Sequence, residues 1–566
     1  MKKLLICLLA LTPAASATMP LDPDPVWESR ANGHHATGGA WADVDGDGWL
    51  DMVVANGNDM GREHVVIYHN GGSGILPANP TWSSGDVDYH GHLDVGDING
   101  DGLPDVAVAV YIGPGGFSTP GRVKVYLNNG AGAFSSLPDW SSASDLYCFS
   151  VALGDADGDG DLDLACACGE GYYGDPERQR IYYNIDGTLE ATPSWQSDEW
   201  GFALDVFWGD VEQDGDLDLT FCTEQGPLLV YLNEQTDGGG MPTTASWQST
   251  DLPQYGNTIA FGDGNGDGFP ELAVADNSQL GGEGRFKVYG NVAGALTTAP
   301  IWQSSDGGYG AHVSWIDPDI DGDLDLATGR WWGSARIYEN RDGVLTADPV
   351  WESTPEPVCE NFLWGDVDND ALRSNGVTVA SGDGARTFFS LGHAPIRTVD
   401  EVLVAGVPLP ADAYAVHPTH GWISTAGPPP PGAGNVIIRY TYSLDLDLAI
   451  TDWDPARGNT LYLSETAAAV PDIAGALDAV RAFPNPLRER TQIQYRGPDA
   501  SEFLLTIHDV SGRVVRRLHE GAITEGLYTW EWDRRDDSGR PTESGVYFAH
   551  LSADDQGRTI RLITLR

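Results

Sequence analysis

Positive charge is scarce in this 566-residue chain, which holds 31 Lys and Arg against 83 Asp and Glu for a formal net charge of −52. The imbalance is uneven: residues 471–566 carry 13 Lys/Arg against 15 Asp/Glu, so nearly all of the acidic excess lies before them. A surface of that sign repels nucleic acid and anionic lipid, which argues against both as partners, and it attracts divalent cations. Apolar runs of about 18 residues are absent, so no transmembrane span is expected. Cysteine is also sparse. Beyond Cys7 there are five, Cys148, Cys166, Cys168, Cys222 and Cys359, with no C-x-x-C and no zinc spacing. An odd number leaves at least one unpaired. A cross-strand disulfide among Cys148, Cys166 and Cys168 and buried free thiols are both compatible with their strand context. G-x-S-x-G, H-E-x-x-H and P-loop patterns are missing too, and no His/Asp constellation stands out, so a non-enzymatic protein is expected.

What the chain has is a repeat. Seven acidic loops begin at Asp43, Asp97, Asp155, Asp210, Asp263, Asp317 and Asp366, spaced by 49 to 58 residues. They read DVDGDGWLD, DINGDGLPD, DADGDGDLD, DVEQDGDLD, DGNGDGFPE, DPDIDGDLD and DVDNDALRS. Side-chain oxygens stand at positions 1, 3, 5 and 9, a backbone carbonyl is available at position 7, and a Gly at position 6 permits a sharp turn in all but the last copy. The candidate ligands are therefore Asp43, Asp45, Asp47, Trp49 and Asp51; Asp97, Asn99, Asp101, Leu103 and Asp105; Asp155, Asp157, Asp159, Asp161 and Asp163; Asp210, Glu212, Asp214, Asp216 and Asp218; Asp263, Asn265, Asp267, Phe269 and Glu271; Asp317, Asp319, Asp321, Asp323 and Asp325; and Asp366, Asp368 and Asp370. All-oxygen sets suit a hard cation, and Ca²⁺ is the expected cofactor, held in about six sites. The seventh loop has Ala371 and Ser374 at positions 6 and 9, so it is expected to be weak or empty. Close carboxylates without an ion repel one another, and burial raises their pKa values further.

Around each loop the same strands recur. A Trp precedes the first Asp by 15 or 16 residues (Trp27, Trp82, Trp140, Trp195, Trp247, Trp302, Trp351). An apolar run such as DVAVAV follows the loop, then an aromatic run such as VYLN. These segments are too short for helices and are bounded by Gly, Asn and Pro, so they read as strands. With strand a before the loop, b after it, c the VYxN run and d the Trp strand, four strands per repeat predict a β-propeller blade, and seven copies predict seven blades. The chain begins with a d strand at Trp27, which can close the ring by completing the last blade.

The loops, the Leu153-Gly154-Asp155 and Phe261-Gly262-Asp263 lead-ins and the VYxN strands resemble the FG-GAP/VCBS repeats of integrin-α-like propellers, over roughly residues 25–391. The resemblance implies calcium in the a–b hairpins and leaves the ligand open. The expected fold is all-β: a propeller over 21–395, a small β-sandwich at 396–443 inserted in or appended to blade seven, and a second b–c pair within 444–465 that would complete that blade. If the segment is inserted, Asp447 could replace the missing ninth ligand. After a linker at 471–482, residues 483–566 read FPNP, D-x-x-G-R, W-D and S-G-V-Y-F in order, with Asp533 and Asp536 as turn residues. This order resembles the immunoglobulin-like sorting domains of type IX secreted proteins and the Ig-like domain of flagellar hook-capping proteins. It implies the outer-membrane secretion machinery as a partner.

At the start, Lys2 and Lys3, the apolar Leu4–Leu11 and the small Ala15-Ser16-Ala17 read as a signal peptide over 1–17, which places the protein outside the cell or on the bacterial surface. Eight residues before each loop stand His35, Tyr89, Tyr147, Phe202, Tyr255, Tyr309 and Val358. Strand a enters from the face opposite the loops, so these side chains could ring the central mouth. The b–c connections reach the same face with Tyr172, Tyr173, Arg330, Trp331 and Trp332, and His90 and His92 lie nearby. Repeated packing residues would give the same pattern. Aromatic platforms suit sugars or peptides, so the expected role is a glycan- or protein-binding module. A polysaccharide-active enzyme using that face and a purely structural surface protein are the alternatives.

Overall fold

The computed structural model describes residues 19–464 apart from 31–33, 73, 131, 133, 237, 252–254, 342 and 370–372. Of the remainder it describes 479–483, 490–497, 500–509, 513–523, 526–537, 540–542, 545–553 and 556–564. The expected signal peptide lies outside the described residues, as does Asp370. The chain divides into two compact units, Met1–Ala467 and Ala468–Arg566.

In the first unit one sheet plan recurs. In blade 1, Ala36–Ala42, Asp51–Asn56, Val66–Tyr68 and Trp82–Ser83 pair in that order, each antiparallel to the next. Six further sheets repeat it. A single long strand, Trp195–Gly209, serves as d of blade 3 at one end and a of blade 4 at the other. In blade 7, strands Cys359–Gly365, Asp447–Asp452 and Thr460–Tyr462 are completed by the N-terminal Trp27–Glu28. The a strands touch in sequence, and Cys359–Gly365 packs on both Gly310–Ile316 and Ala36–Ala42, which closes the ring. The b strands are apolar on both parities because every residue of Asp51–Asn56, Asp163–Cys168 and Glu271–Asp276 is buried.

Two devices join neighbouring blades. Each d-strand Trp meets the c-strand Tyr of the next blade edge to face, from Trp302 on Tyr338 at 5.2 Å to Trp82 on Tyr126 at 6.2 Å, with Trp27 on Tyr68 across the closure. Such pairs contribute about 0.5–1.5 kcal/mol beyond their buried area. The Asn ending the VYxN run donates its amide to the second loop residue of the preceding blade: Asn128 to Val44 O, Asn184 to Ile98 O, Asn233 to Ala156 O, Asn291 to Val211 O, and Asn70 to Val367 O across the closure.

The small sandwich is inserted between strands a and b of blade 7. It starts at Arg373, not at 396, because Arg373–Gly382 pairs with Gly432–Ser443 along nearly its whole length. Thr398–Val404 and Val407–Pro408 extend that sheet, and Phe388–Ser390, Trp422–Thr425 and Tyr414–His417 form the second. Val402, Ile423, Val436, Ile438 and Tyr440 are buried between them.

The second unit is an antiparallel sandwich. Ala479–Phe483, Thr491–Gly497 and Gly526–Trp532 form one sheet, and Val514–Ile523, Ala500–Asp509, Gly545–Ala553 and Gln556–Thr564 the other. Its first strand occupies part of the expected 471–482 linker; residues 471–478 lie outside the described set. Ile493, Tyr495, Phe503, Leu505 and Trp532 are buried within it. Asp533 and Asp536 accept turn N–H bonds from Arg535 and Arg540, as turn residues do. Among the described residues no helix is long and apolar enough to cross a membrane.

Candidate metal loops and candidate binding cavity

Each acidic loop connects strand a to strand b, and its backbone is held by its own carboxylates. The first Asp accepts N–H bonds from positions 5 and 6, at 2.8–3.1 Å in all six complete loops. Position 4 takes a left-handed backbone in every copy. Gly46, Gly100, Gly158 and Gly266 do so freely, whereas Gln213, Ile320 and Asn369 do so at φ of 60°, 59° and 55°. The sequence signal for this is the Gly at position 4 in four copies; attention to position 6 alone misses it.

The ninth carboxylate staples the hairpin. One oxygen accepts the N–H of position 2, as Val44 on Asp51 and Ala156 on Asp163, and the other accepts the N–H of the residue ending strand c, as Asn70 and Asn184. In loop 6 position 2 is Pro318, which has no N–H, and one buried oxygen of Asp325 has no donor. Burial pushes the Asp325 carboxyl up to about 9, and Asp319, Asp317 and Asp321 add to the push. Burial raises Asp51, Asp105, Asp155, Asp210 and Asp317 to about 7, with neighbouring loop carboxylates adding to it in each case.

These are the electrostatics of carboxylates brought together without positive charge. Three carboxylate oxygens lie within 4.8 Å of one another in loop 1 (Asp43, Asp45, Asp47), loop 3 (Asp155, Asp157, Asp163) and loop 6 (Asp317, Asp319, Asp321). Loops 2 and 5 place the amides Asn99 and Asn265 at position 3, and loop 4 places Glu212 there. Glu212 and Asp216 each bury one oxygen without a donor. An all-oxygen set with unsatisfied buried oxygens fits a hard cation. In loop 1, His69 also comes within 4.8 Å of Asp45 and Asp51.

Loop 7 is different. Asp447, reached only after the insertion, takes the ninth place, accepting N–H bonds from Val367 at 2.8 Å and Ser464 at 2.9 Å. It lies within 4.8 Å of Asp366 and Asp368. The insertion also brings Arg397, whose guanidinium donates to Asp366 at 2.8 Å and to the Gly48 carbonyl of loop 1 at 3.1 Å. Loop 7 thus carries a side-chain cation of its own.

The insertion extends from loop 7 across the ring. Thr387 and Phe388 donate to Gly215 O of loop 4, Arg386 donates to Gln213 O, and Thr387 and Ala426 crowd Gly158 and Gly160 of loop 3 so closely that a Cβ there would come within 3.0 Å. The first Asp of each of these loops is consequently buried, Asp155 at 3% and Asp210 at 6% exposed, as is Asp366 of loop 7 at 3%. His417 meets Asp94 at 3.2 Å, and His420 packs on Phe207, so the insertion fills the loop end of the central channel.

The opposite end is open. A cavity of about 230 Å³ is lined by residues of all seven blades. The a strands supply Phe149, Leu204, Asn257 and Glu360, each six residues before its loop, and the b–c connections supply Asp59, Tyr172, Trp331, Trp332 and Trp453. The inner residues are buried, while Tyr172 and Trp332 on the rim are more than half exposed. Tyr172, Trp331, Trp332 and Val358 therefore stand where the sequence pattern puts them. Tyr89, Tyr147, Phe202, Tyr255 and Tyr309 do not line the cavity. Their backbones mark where strand a meets the preceding blade, as in the bridges Glu224–Tyr255 and Asn277–Tyr309. The Tyr147 hydroxyl bonds Phe117 O, and Tyr309 meets the edge of Trp332 at 5.9 Å. The axial position is two residues further along the strand. Arg330 is committed to Asp306, with bonds of 2.8 and 2.9 Å. His90, fully buried, donates its Nδ1–H to Asn56 O at 2.9 Å, and burial lowers its pKa to about 4. His92 lies within the channel, 3.7 Å from Asp205.

All five described cysteines are buried free thiols, Cys148 lying directly across from Cys168 in the strand register.

An FG-GAP-like repeat model matches residues 43–108 and 110–166, and a FlgD Ig-like domain model matches residues 488–557. No curated protein matches the chain. Among solved structures, BBS1N in complex with ARL6DN, soaked with mercury, is similar at a TM-score of 0.40 and 11% identity, covering 74% of this chain and 99% of that one. Sqt1 of Saccharomyces cerevisiae is similar at 0.38 and 10%, covering 62% and 93%. The computationally designed Ika8 protein is similar at 0.34 and 11%, covering 61% and 94%.

Proposed function

We propose that this chain is an exported, calcium-stabilised seven-bladed propeller that binds a glycan or protein without transforming it, in the cavity opposite the acidic loops. The observation that carries this reading is the cavity itself: seven blades converge on it, with a buried floor and an exposed aromatic rim. Calcium is assigned to the loops on the strength of their all-oxygen donors and their unsatisfied buried oxygens. The FlgD Ig-like unit is assigned the part of an export and sorting signal, consistent with the leader-like residues 1–17. A glycan and peptide array probed with wild type and Trp332→Ala tests the reading. Hits that depend on Trp332 support it, and hits unaffected by the substitution move the binding surface elsewhere.

A second reading has one observation in its favour. Burial raises the carboxyl pKa of Glu360 well above the ordinary range, with Asp59 and Asp452 adding to the push, and burial also raises Asp59 and Glu224. Carboxyls held protonated in a cleft are what an acid catalyst on polysaccharide needs. Product release from a polysaccharide panel that is abolished by Glu360→Gln would replace the binding reading with this one.

A further inference from the structure

The cavity has a one-sided chemistry. Three carboxyls line it, Asp59, Glu224 and Glu360, together with a set of aromatic rings, and no Lys, Arg or His does. Among the described residues no ion pair reaches any of the three. Glu360 is 3% exposed on the cavity floor. Its polar neighbour is the Trp331 indole, which makes no hydrogen bond of ordinary geometry. The cations nearby are engaged elsewhere. His35 bonds Glu63 at 2.7 Å and reaches Asp59 only through space, Arg330 holds Asp306, and Arg457 lies on Asp454. Around this floor Trp331, Trp332 and Trp453 stand edge to face in a row, at centroid spacings of 6.3 Å. Tyr111 and Phe149 face each other at 5.0 Å on the other side.

Resting on the assignment of this cavity as the binding site, we infer that the group it takes is an organic cation, an alkylammonium or guanidinium, seated on Glu360 and Asp59 and walled by Trp332 and Tyr172. A neutral sugar ring would stack on the same rim, but it would not supply the counter-charge that lets the floor carboxyls ionise in a water-poor cavity. A cation supplies that charge and gains from the ring faces. The net charge of −52 draws cations and repels anions before contact. The volume suits a side-chain-sized head group, so the source is either a Lys or Arg side chain presented by a protein or an unacetylated amino sugar.

The test is calorimetric titration of the full chain, with calcium present, using n-butylammonium, ethylguanidinium, glucosamine, methyl glucoside and butyrate in turn. The cations should bind, with glucosamine separating the sugar source from the side-chain sources, and the neutral and anionic probes should bind at least tenfold more weakly. Glu360→Gln should reduce cation binding at least tenfold without lowering the melting temperature, and Trp332→Ala, an exposed substitution, should reduce it severalfold. Methyl glucoside binding as well as the cations, or cation binding that survives both substitutions, overturns the inference while leaving the cavity as a binding site. Array hits that depend on Trp332 in the absence of any cation binding have the same meaning. Absence of every Trp332-dependent ligand overturns the inference and the cavity assignment together.

Discussion

At the loop end of the channel, His417 and His420 of the insertion fill the space between the a strands, and Arg397 sits against the carboxylates of loop 7. At the other end, Glu360 and Asp59 line a cavity that has no Lys, Arg or His among its described lining residues. Both ends gather acids, and they differ in what faces those acids. The loop carboxylates are tied to their own backbone by N–H bonds and form part of the hairpin. Those of the cavity do not close a hairpin in this way, and the polar neighbour of Glu360 is the Trp331 indole. The same residue type therefore serves stability on one face and remains available for recognition on the other, and the local hydrogen bonding distinguishes the two.

Removing metal should break the loop face first and by the largest margin. A site saturated 100-fold contributes about 2.7 kcal/mol. Several such sites rival the 5–15 kcal/mol that is typical of a whole domain. Chelation should lower the melting temperature of the first unit by more than about 10 °C. The pH dependence should then invert. Without an ion, the folded pKa values of Asp51, Asp105, Asp155 and Asp317 lie near 7, above an unfolded value near 4. Their contribution is complete below pH 4 and is lost as pH rises through about 7. In chelator the melting temperature should fall between pH 5 and pH 8, while calcium affinity should rise over the same window as binding releases protons. A melting curve indifferent to chelator, on protein shown to be metal-free, would sink the calcium assignment.

The next effect separates the blade latch from the loops. Asn233 donates to Ala156 O of the preceding blade at 2.9 Å and to Leu217 O at 3.2 Å, with the residue 1% exposed. Asn233→Ala leaves two buried carbonyls without a donor, at a cost of about 1–3 kcal/mol. Calcium affinity measured by titration should stay within about twofold, because the Asn233 amide reaches the loops only at the carbonyls of Ala156 and Leu217, positions 2 and 8, which are not ligand positions, and its backbone N–H to Asp218 is unchanged. A large loss of affinity would mean that latch and loop are one unit.

How much of this can be read from the sequence follows from how local each cause is. The clustering of the loop carboxylates, the strand order and ring closure by Trp27 are set by spacing along the chain, and a repeat of about 54 residues makes them legible. The residues that face the axis stand six before the loop, two positions past the conspicuous aromatics: Phe149, Leu204, Asn257 and Glu360 line the cavity, whereas Tyr89, Tyr147 and Tyr309 sit where the backbone bridges to the preceding blade. The Asn latch recurs in plain sight in VYxN, yet its acceptor lies in another blade. Arg397 at loop 7 and His417 in the channel come from the fold of the insertion, and no periodicity of the propeller encodes them.

A smaller effect concerns strain on the loop face. Ile320 is β-branched and sits at φ 59°, where four of the other loops have Gly. Releasing a left-handed residue is worth about 1–2 kcal/mol per position, less the greater unfolded-state entropy of Gly, so Ile320→Gly should raise stability by roughly 1 kcal/mol. Denaturant unfolding with and without calcium checks this. A decrease in both conditions would mean that the Ile320 side chain packs well enough to outweigh its backbone.

The smallest effect on stability should come from the open face, and there the comparison is sharpest. Trp332 is 53% exposed, and the ring contacts it makes are with Tyr309, Trp331 and Trp453, all at the same rim. Its removal takes little apolar area out of the core, so Trp332→Ala should change unfolding free energy by less than about 0.5 kcal/mol, as surface substitutions do. A ligand stacked on that ring should nonetheless lose affinity severalfold, about fivefold for an aromatic contact worth about 1 kcal/mol. Asp155→Ala should behave in the opposite way. It removes both acceptors of the Asp159 and Gly160 N–H bonds in a loop covered by the insertion, so it should cost stability while leaving cavity binding per folded molecule unchanged. Melting curves and ligand titrations on the two variants form a cross-test. If each variant loses both properties, the two faces are coupled through the blades, and the division of labour between stapled and unstapled carboxylates does not hold.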